Sequence, residues 1–284
     1  MTKPGIDNLI KLLDDDNEEI AIAAMRELLD QEADLGDRLS ELQEADSPLL
    51  RKRTHQLQAA IVMRRRRRNF SGLLNRPALN LVEGLIEVHL QWYDNDSRPG
   101  ITELWNNFRA EAKKAHIDMP EGLSRFMRRR GMTAVEETTL QPENYCIGTI
   151  LENNYGSAAV LCGIAQALSD NLKLRIVRGM GEFGLLSGDG KLLLPRRDWE
   201  VIAFNGIAGL DFWDGKSLLQ FASSMLFSNA VNSDSLRYIQ TIAQALLGTE
   251  HGEMPSTLPY PYQPPEEEDD EDAADCGSEN SQPQ

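Results

Sequence analysis

The stretch ENNYGSAAVLCGIAQAL, residues 152–168, sets Gly156 and Ser157 at the mouth of an apolar helix, where hydrolases and acyltransferases keep a nucleophile. The positive end of a helix stabilises an anion, so a thiol held there is acidified, and a hydroxyl beside a base becomes reactive. Ser157 offers the hydroxyl and Cys162 the thiol. A nucleophile also needs a base within hydrogen-bond reach, and the carboxylate available on a following strand-like run is Glu182 in GEF. The usual base is absent from this part of the chain: the four histidines are His55, His89, His116 and His251, leaving none between 117 and 250.

Each of these residues also has an ordinary structural role. A Ser before a helix accepts from the first amides as an N-cap, and a Cys inside a helix packs as a small hydrophobe. Glu182, beside Arg175 or Arg178, reads as an exposed charge.

A second chemistry is suggested by Arg64, Arg65, Arg66, Arg67 and Arg68, a candidate anion patch, because arginines bind phosphates with strong salt dependence. Five consecutive residues encircle a helix and form no single stripe, whereas cations in a last helical turn suit the dipole. Residues 7–46 carry fourteen acidic side chains against three basic ones, and residues 47–68 carry eight basic and no acidic ones. Helices of these two segments packed together neutralise each other, so nucleic acid is not the expected partner.

The elements that must position these groups follow from periodicity. Ile6, Leu9, Ile10 and Leu13 share a helix face, and Ile20, Ala24 and Leu28, then Leu35, Leu39 and Leu42, repeat it. Asp16 or Asn17 caps the second of these helices. Ser47 and Pro48 start another, with Leu50, Leu57 and Ile61 on one side. Together residues 1–75 resemble HEAT-type helical hairpins. Beyond them, Leu81, Leu85, Val88 and Trp92 predict a helix; DNDSRPG breaks the chain, Leu104, Phe108 and Ala112 mark the next helix, and Gly131 ends a shorter one. From 147 the rhythm changes to a helix over 158–168 and three strand-like runs, LKLRIVR, EFGLL and KLLLP, with Asp189 and Gly190 turning the last two into a hairpin. Two closing helices follow, the second expected to start at Ser233 and stop at Gly248. GLDFWDG, between hairpin and helices, reads as a packed turn, and Trp92, Trp105, Trp199 and Trp213 as core anchors.

Composition limits the class. The 284 residues suffice for a sizeable core, and three cysteines, Cys146, Cys162 and Cys276, without paired spacing suggest neither a disulfide framework nor a metal cage. An acidic N-terminal segment and the lack of a long apolar run predict a soluble, cytoplasmic protein with no signal peptide or membrane span. The net charge of −16 includes nine negative charges in residues 266–284, so about −7 remains for the rest. Residues 249–284 are rich in Pro and acid and are expected to be a disordered tail.

Residues 147–198 resemble the transglutaminase-like family whose bacterial members include the SirB proteins. In that family a helical part precedes a core of a long apolar helix, a turn, a strand and a Gly-His-Phe strand. YGSAAVLCGIAQALSDNLKLRI runs along the pattern without a gap, with Gly156 on its glycine and Leu161, Ile164 and Leu168 on its helix core. The resemblance puts the nucleophile position on Ala158, the imidazole position on Glu182 and the orienting acid on Leu194, with Asp198 offset. Ser157 is one residue short, about 100° around the helix. Loss of such a set costs on the order of a millionfold in rate.

The sequence therefore predicts a mostly helical α+β protein: HEAT-like hairpins over 1–75, a degenerate transglutaminase-like domain over 76–248 and a tail over 249–284. The expected role is non-catalytic, binding a protein partner or scaffolding, with no cofactor or metal. The alternatives are a hydrolase or acyltransferase using Ser157 or Cys162 with Glu182, and polyanion binding through residues 64–68.

Overall fold

A computed structural model describes residues 5–31, 35, 38–136, 141–179, 181–204 and 209–247. They form a mostly helical α+β structure with a small antiparallel sheet, as the patterning predicts. The expectations for Gly248, Cys276, His251 and the tail lie outside the described residues.

Helices α1 (Ile6–Leu13), α2 (Glu18–Asp30) and α3 (Arg38–Gln43) lie against the first half of α4 (Pro48–Leu74). Their apolar stripes meet in a core of Leu9, Leu13, Ala24, Leu28, Leu35, Leu57 and Ile61. Of the two residues expected to cap α2, Asn17 does so, its side chain accepting from the Glu19 amide at 2.9 Å. Ser47 caps α4 by accepting from the Leu50 amide at 3.2 Å, with Pro48 in the first turn. The arginine run does not end this helix: α4 continues to Leu74, and Phe70, Leu73 and Leu74 enter a second, larger core. Arg64 to Arg68 thus lie mid-helix, since the apolar residues beyond them gain more from burial than a terminus there would gain from the dipole.

The second core gathers α5 (Leu81–Trp92), α6 (Arg98–Lys114), α7 (Pro120–Arg130), α8 (Ile147–Asn153), α9 (Ala158–Leu168), α10 (Gly215–Asn232) and α11 (Leu236–Leu247). Gly131, at φ 77°, closes α7 in the left-handed region that glycine adopts without strain. The start of α11 differs from expectation. Ser233 belongs to the end of α10, its hydroxyl donating to the Asn229 carbonyl at 2.9 Å. The chain then turns through Asp234 at φ 50°, and the Ser235 carbonyl accepts the first amides of α11.

Two short strands, β1 (Thr133–Ala134) and β2 (Tyr155–Gly156), pair in parallel at the entrance to α9. The main sheet orders β3 (Arg175–Gly179), β4 (Glu182–Leu186), β5 (Lys191–Leu194), β6 (Glu200–Ala203) and β7 (Asp211–Trp213) as β6-β5-β4-β3-β7, every pair antiparallel. The β4–β5 hairpin turns where predicted, with Gly190 at φ 78° and the Ser187 amide donating to the Lys191 carbonyl at 2.9 Å. GLDFWDG is not a packed turn: it supplies edge strand β7 and then Asp214, which caps α10 by accepting from the Ser217 amide at 2.7 Å. Three residues are too few for a strand period to be read.

The pleat sorts the strands' side chains onto two faces. Ile176, Phe183, Leu185 and Leu193 join the helical core. Val177, Leu192 and Leu194 form a separate small cluster on the opposite face, with Leu186, Ile202, Phe204 and Leu210 against it. Trp199 is the largest fully buried side chain; its indole N–H donates to the Met132 carbonyl at 2.6 Å, and its own carbonyl accepts from the Ser124 hydroxyl at 2.7 Å.

Candidate functional site

At the mouth of α9 the backbone is held before any side chain acts. The Ser157 amide donates to the Asn144 carbonyl at 2.8 Å, and a Cβ on Gly156 would lie 2.7 Å from the Ile150 side chain. Residues around Asn144 and helix α8 therefore close over the helix end. Ser157 is 4 % exposed, and its hydroxyl oxygen accepts from the Val160 amide at 3.3 Å, the geometry of an N-cap. Ala158 is buried beside it. Cys162 is fully buried in the body of α9, and burial pushes its thiol well above the ordinary range. The next residue explains the closeness: a Cβ on Gly163 would stand 2.5 Å from Leu218 of α10.

Glu182 is elsewhere. It pairs in register with Gly179, two residues from Val177 and Gly184, so it shares the outer face of the sheet with the Val177 cluster. Helix α9 packs on the inner face, against Phe183 and Leu185. The sheet stands between Glu182 and both Ser157 and Cys162, and the three residues are not brought together. Nor does Glu182 pair with Arg175 or Arg178: its carboxylate meets Arg197 at 3.3 Å, while Arg175 lies 3.7 Å over the Phe212 ring and Arg178 faces Phe183. Register sets Arg178 on the inner face and Glu182 on the outer one, and it puts Arg175, opposite Leu186, at the far end of the β3–β4 pair from Glu182, opposite Gly179.

Three members of the arginine run tie helix ends together. Arg64 donates to the Leu29 carbonyl at 2.6 Å and pairs with Asp30 at 2.9 Å, filling the C-terminal end of α2. Arg66 donates to the Asp94 carbonyl at 2.5 Å and, more weakly, to that of Leu90, at the end of α5. Burial, then the neighbouring Arg98, pull the Arg66 guanidinium below its ordinary value. Arg67 reaches Gln244 of α11, and neither Arg65 nor Arg68 is without a partner. Arg64, Arg66 and Arg67 are half-buried and hold neighbouring elements, while Arg65 and Arg68 lie exposed. Orphan carbonyls at helix ends need donors, and a run that encircles α4 reaches several at once.

Sequence reasoning missed His89. It is 1 % exposed on α5, its Nε2 2.8 Å from the Asp96 carboxylate, while the Gly148 amide donates to Nδ1 at 3.3 Å. These partners assign the proton of the neutral ring to Nε2. Burial holds the His89 pKa below its ordinary value, against the opposing pull of Asp96 and Glu152. A Cβ on Gly148 would lie 2.6 Å from the ring, so glycine is required for that approach. The Tyr93 ring stands 5.1 Å away, and burial, then Glu143, Cys146 and Asp96, push its hydroxyl up to about 12. Cys146 is fully buried, and its thiol is likewise pushed up.

A histidine, an aspartate and a cysteine form this cluster, but both imidazole nitrogens are engaged and the thiol is shielded. The arrangement clamps α5, the following loop and α8 together. The available signal was the offset of His89 from Leu85, which turns it inward on a helix already predicted.

Among the described residues no group of three or more His, Cys, Asp or Glu is placed to hold a metal ion, and no helix is long and apolar enough to cross a membrane. A cleft of about 660 Å³ where α5, α6 and the end of α9 meet is lined by Arg98, Thr102, Trp105 and Arg109 and does not include Ser157, Cys162 or Glu182. The chain matches no family model, no curated protein and no solved structure.

Proposed function

We propose that this chain is a non-catalytic relative of the SirB-type transglutaminase-like proteins, with HEAT-like hairpins ahead of a degenerate transglutaminase-like core, and that it works in the cytoplasm as a protein-binding or scaffolding module. The observation that carries the reading is the separation of Glu182 from Ser157 and Cys162 by the sheet. An acyl-transfer site needs nucleophile and base within hydrogen-bond reach, and the hydroxyl and thiol here are committed to capping and to packing. The order of a long apolar helix, antiparallel strands and closing helices agrees with the resemblance seen in YGSAAVLCGIAQAL. Exposed apolar side chains on the helical layer, such as Ile22, and on the sheet edge, such as Phe212, are suited to a partner.

Two experiments test this. The native chain is treated with a fluorophosphonate and with iodoacetamide and its intact mass is read. No fluorophosphonate adduct is expected at Ser157, native or denatured, and no alkylation at Cys162 until the protein is denatured; a stoichiometric native adduct lost in Ser157→Ala or Cys162→Ala overturns the non-catalytic reading. A photo-crosslinking residue at Ile22 or Phe212 is expected to trap a discrete partner that rebinds in purified form. A chain that traps nothing at either position overturns the binding role.

A further inference from the structure

We infer that helices α6 and α7 present a docking groove for an acidic segment of a partner protein. The inference rests on the reading of this chain as a binding module and names the chemistry of one partner.

The sign of the charge reverses in this part of the chain. The whole sequence carries 45 Asp and Glu against 29 Lys and Arg, whereas residues 109–130 carry three against seven. Two of the seven cations are engaged: Arg128 meets Asp198 at 3.4 Å, and Arg130 meets Glu111 at 3.4 Å. Glu121 is in turn taken up by Lys191 at 2.7 Å. Arg109, Lys113, Lys114, Arg125 and Arg129 are exposed and form no ion pair among the described residues. Helix dipoles account for only some of them, since Lys113, Lys114 and Arg129 lie in last turns but Arg109 and Arg125 do not.

Two of these free cations meet across a groove. Lys114 of α6 and Arg129 of α7 line a cleft of about 340 Å³ with Glu111, Phe126 and Arg130. Arg125 stands one turn before Arg129 on the same side of α7. Three cations and one acid line the cleft, so its lining stays positive with the Arg130–Glu111 pair made. Like charges held on two adjoining helices repel each other, and an anion seated between them relieves that repulsion.

The pattern of charges favours a peptide over a nucleic acid. A duplex carries one negative charge per about 1.7 Å of its axis, so a phosphate run through the groove sets some of its charges against Glu111 and Asp118. An extended peptide advances about 3.3 Å per residue and can set carboxylates at Lys114 and Arg129 with a neutral residue beside Glu111. The Arg125 and Arg129 guanidinium groups offer such carboxylates paired parallel hydrogen bonds. The acidic remainder of the chain repels a long polyanion more than a short segment.

The test titrates the full chain, by fluorescence anisotropy at 50 and 200 mM salt, with a labelled peptide of alternating Glu and Ser. A Lys and Ser counterpart and a single-stranded oligonucleotide of equal charge number are run beside it. The acidic peptide is expected to bind saturably and to weaken about fivefold at the higher salt, because exposed charges are screened. The other two are expected to bind at least about tenfold more weakly. Lys114→Gln with Arg125→Gln and Arg129→Gln, all at exposed positions, should weaken the acidic peptide by more than about tenfold. Arg26→Gln with Lys52→Gln and Lys216→Gln, the same charge removed at exposed positions elsewhere, should leave it unchanged. Residues 266–272 are seven consecutive acids, so the titration is repeated with these changed to Gln and Asn. Binding of the peptide in that variant alone overturns the external partner in favour of the chain's own segment. Lack of saturable binding in both forms, or equal loss in the two triple variants, overturns the groove, and tighter binding of the oligonucleotide overturns the acidic protein. The crosslinks at Ile22 and Phe212 report separately on the binding role, so failure of the groove and failure of that reading are distinguishable.

Discussion

The two helical cores stabilise their helices by different means. In the first, a modest apolar cluster from Leu9 to Ile61 is reinforced by arginines that donate to the backbone: Arg53 reaches the Leu13 carbonyl at 2.8 Å and also that of Asp15, and Arg64 reaches Leu29 and Asp30. In the second, large side chains interlock around glycines. A Cβ on Gly84 would stand 2.1 Å from Leu219 and one on Gly163 2.5 Å from Leu218, so α5 and α9 both press closely on α10. A small core leaves helix ends near the surface, where long cationic side chains can reach their carbonyls. A large core gains its free energy from contact, and charge is admitted there only when paired, as Glu87 is with Arg98. Helix α4 runs through both.

The contrast can be broken by substitution. The largest effect is expected for Trp199→Ala in the second core, about 3–5 kcal/mol, since it removes a fully buried indole and its hydrogen bond to Met132. A urea midpoint reads this as loss of the whole second core. Leu28→Ala in the first core is expected to cost about 2–4 kcal/mol and to act locally. Amide exchange should quicken in α1 and α2 and stay unchanged in α5 and α9; equal quickening everywhere would make the two cores one cooperative unit.

Arg64→Ala acts in the first core as well. It leaves the Leu29 carbonyl and Asp30 without their donor and is expected to cost about 2 kcal/mol, again confined to the first core. Ser157→Ala in the second core is expected to cost about 1 kcal/mol, the usual value for an N-cap, with no accompanying loss of a covalent reactivity.

The smallest effect is expected from pH, and its sign follows from His89. The folded-state pKa is depressed, so just below the ordinary value of about 6.5 the unfolded chain binds more protons than the native one. The contribution is full above that pH and is lost as pH falls through the folded value, because protonated Nδ1 can no longer accept from Gly148. Urea midpoints at pH 7.5 and 5.5 should therefore diverge less in His89→Gln than in the natural chain. An unchanged difference would remove the clamp from the account.

Features that depend on neighbours within a turn or so are legible along the chain. Helix α9 is legible over its whole length because its apolar run is framed by Ser157, which meets an amide three residues on. The β4–β5 hairpin is legible for the same reason, since Ser187 to Gly190 make their turn among themselves. Ser233 failed as a cap because two segments compete for it, the end of α10 and the start of α11, and only the backbone path through Asp234 decides.

Tertiary structure alone decided the fate of the charged and catalytic-looking groups. Arg64 finds its carbonyl 35 residues away, Arg67 finds Gln244 at a separation of 177, and Gly148 meets His89 across 59. Glu182 and Ser157 lie only 25 positions apart in the chain yet on opposite sides of the sheet. The physical reason is that a charge or a nucleophile takes its role from what surrounds it. In a two-faced sheet a shift of one residue exchanges one environment for the other.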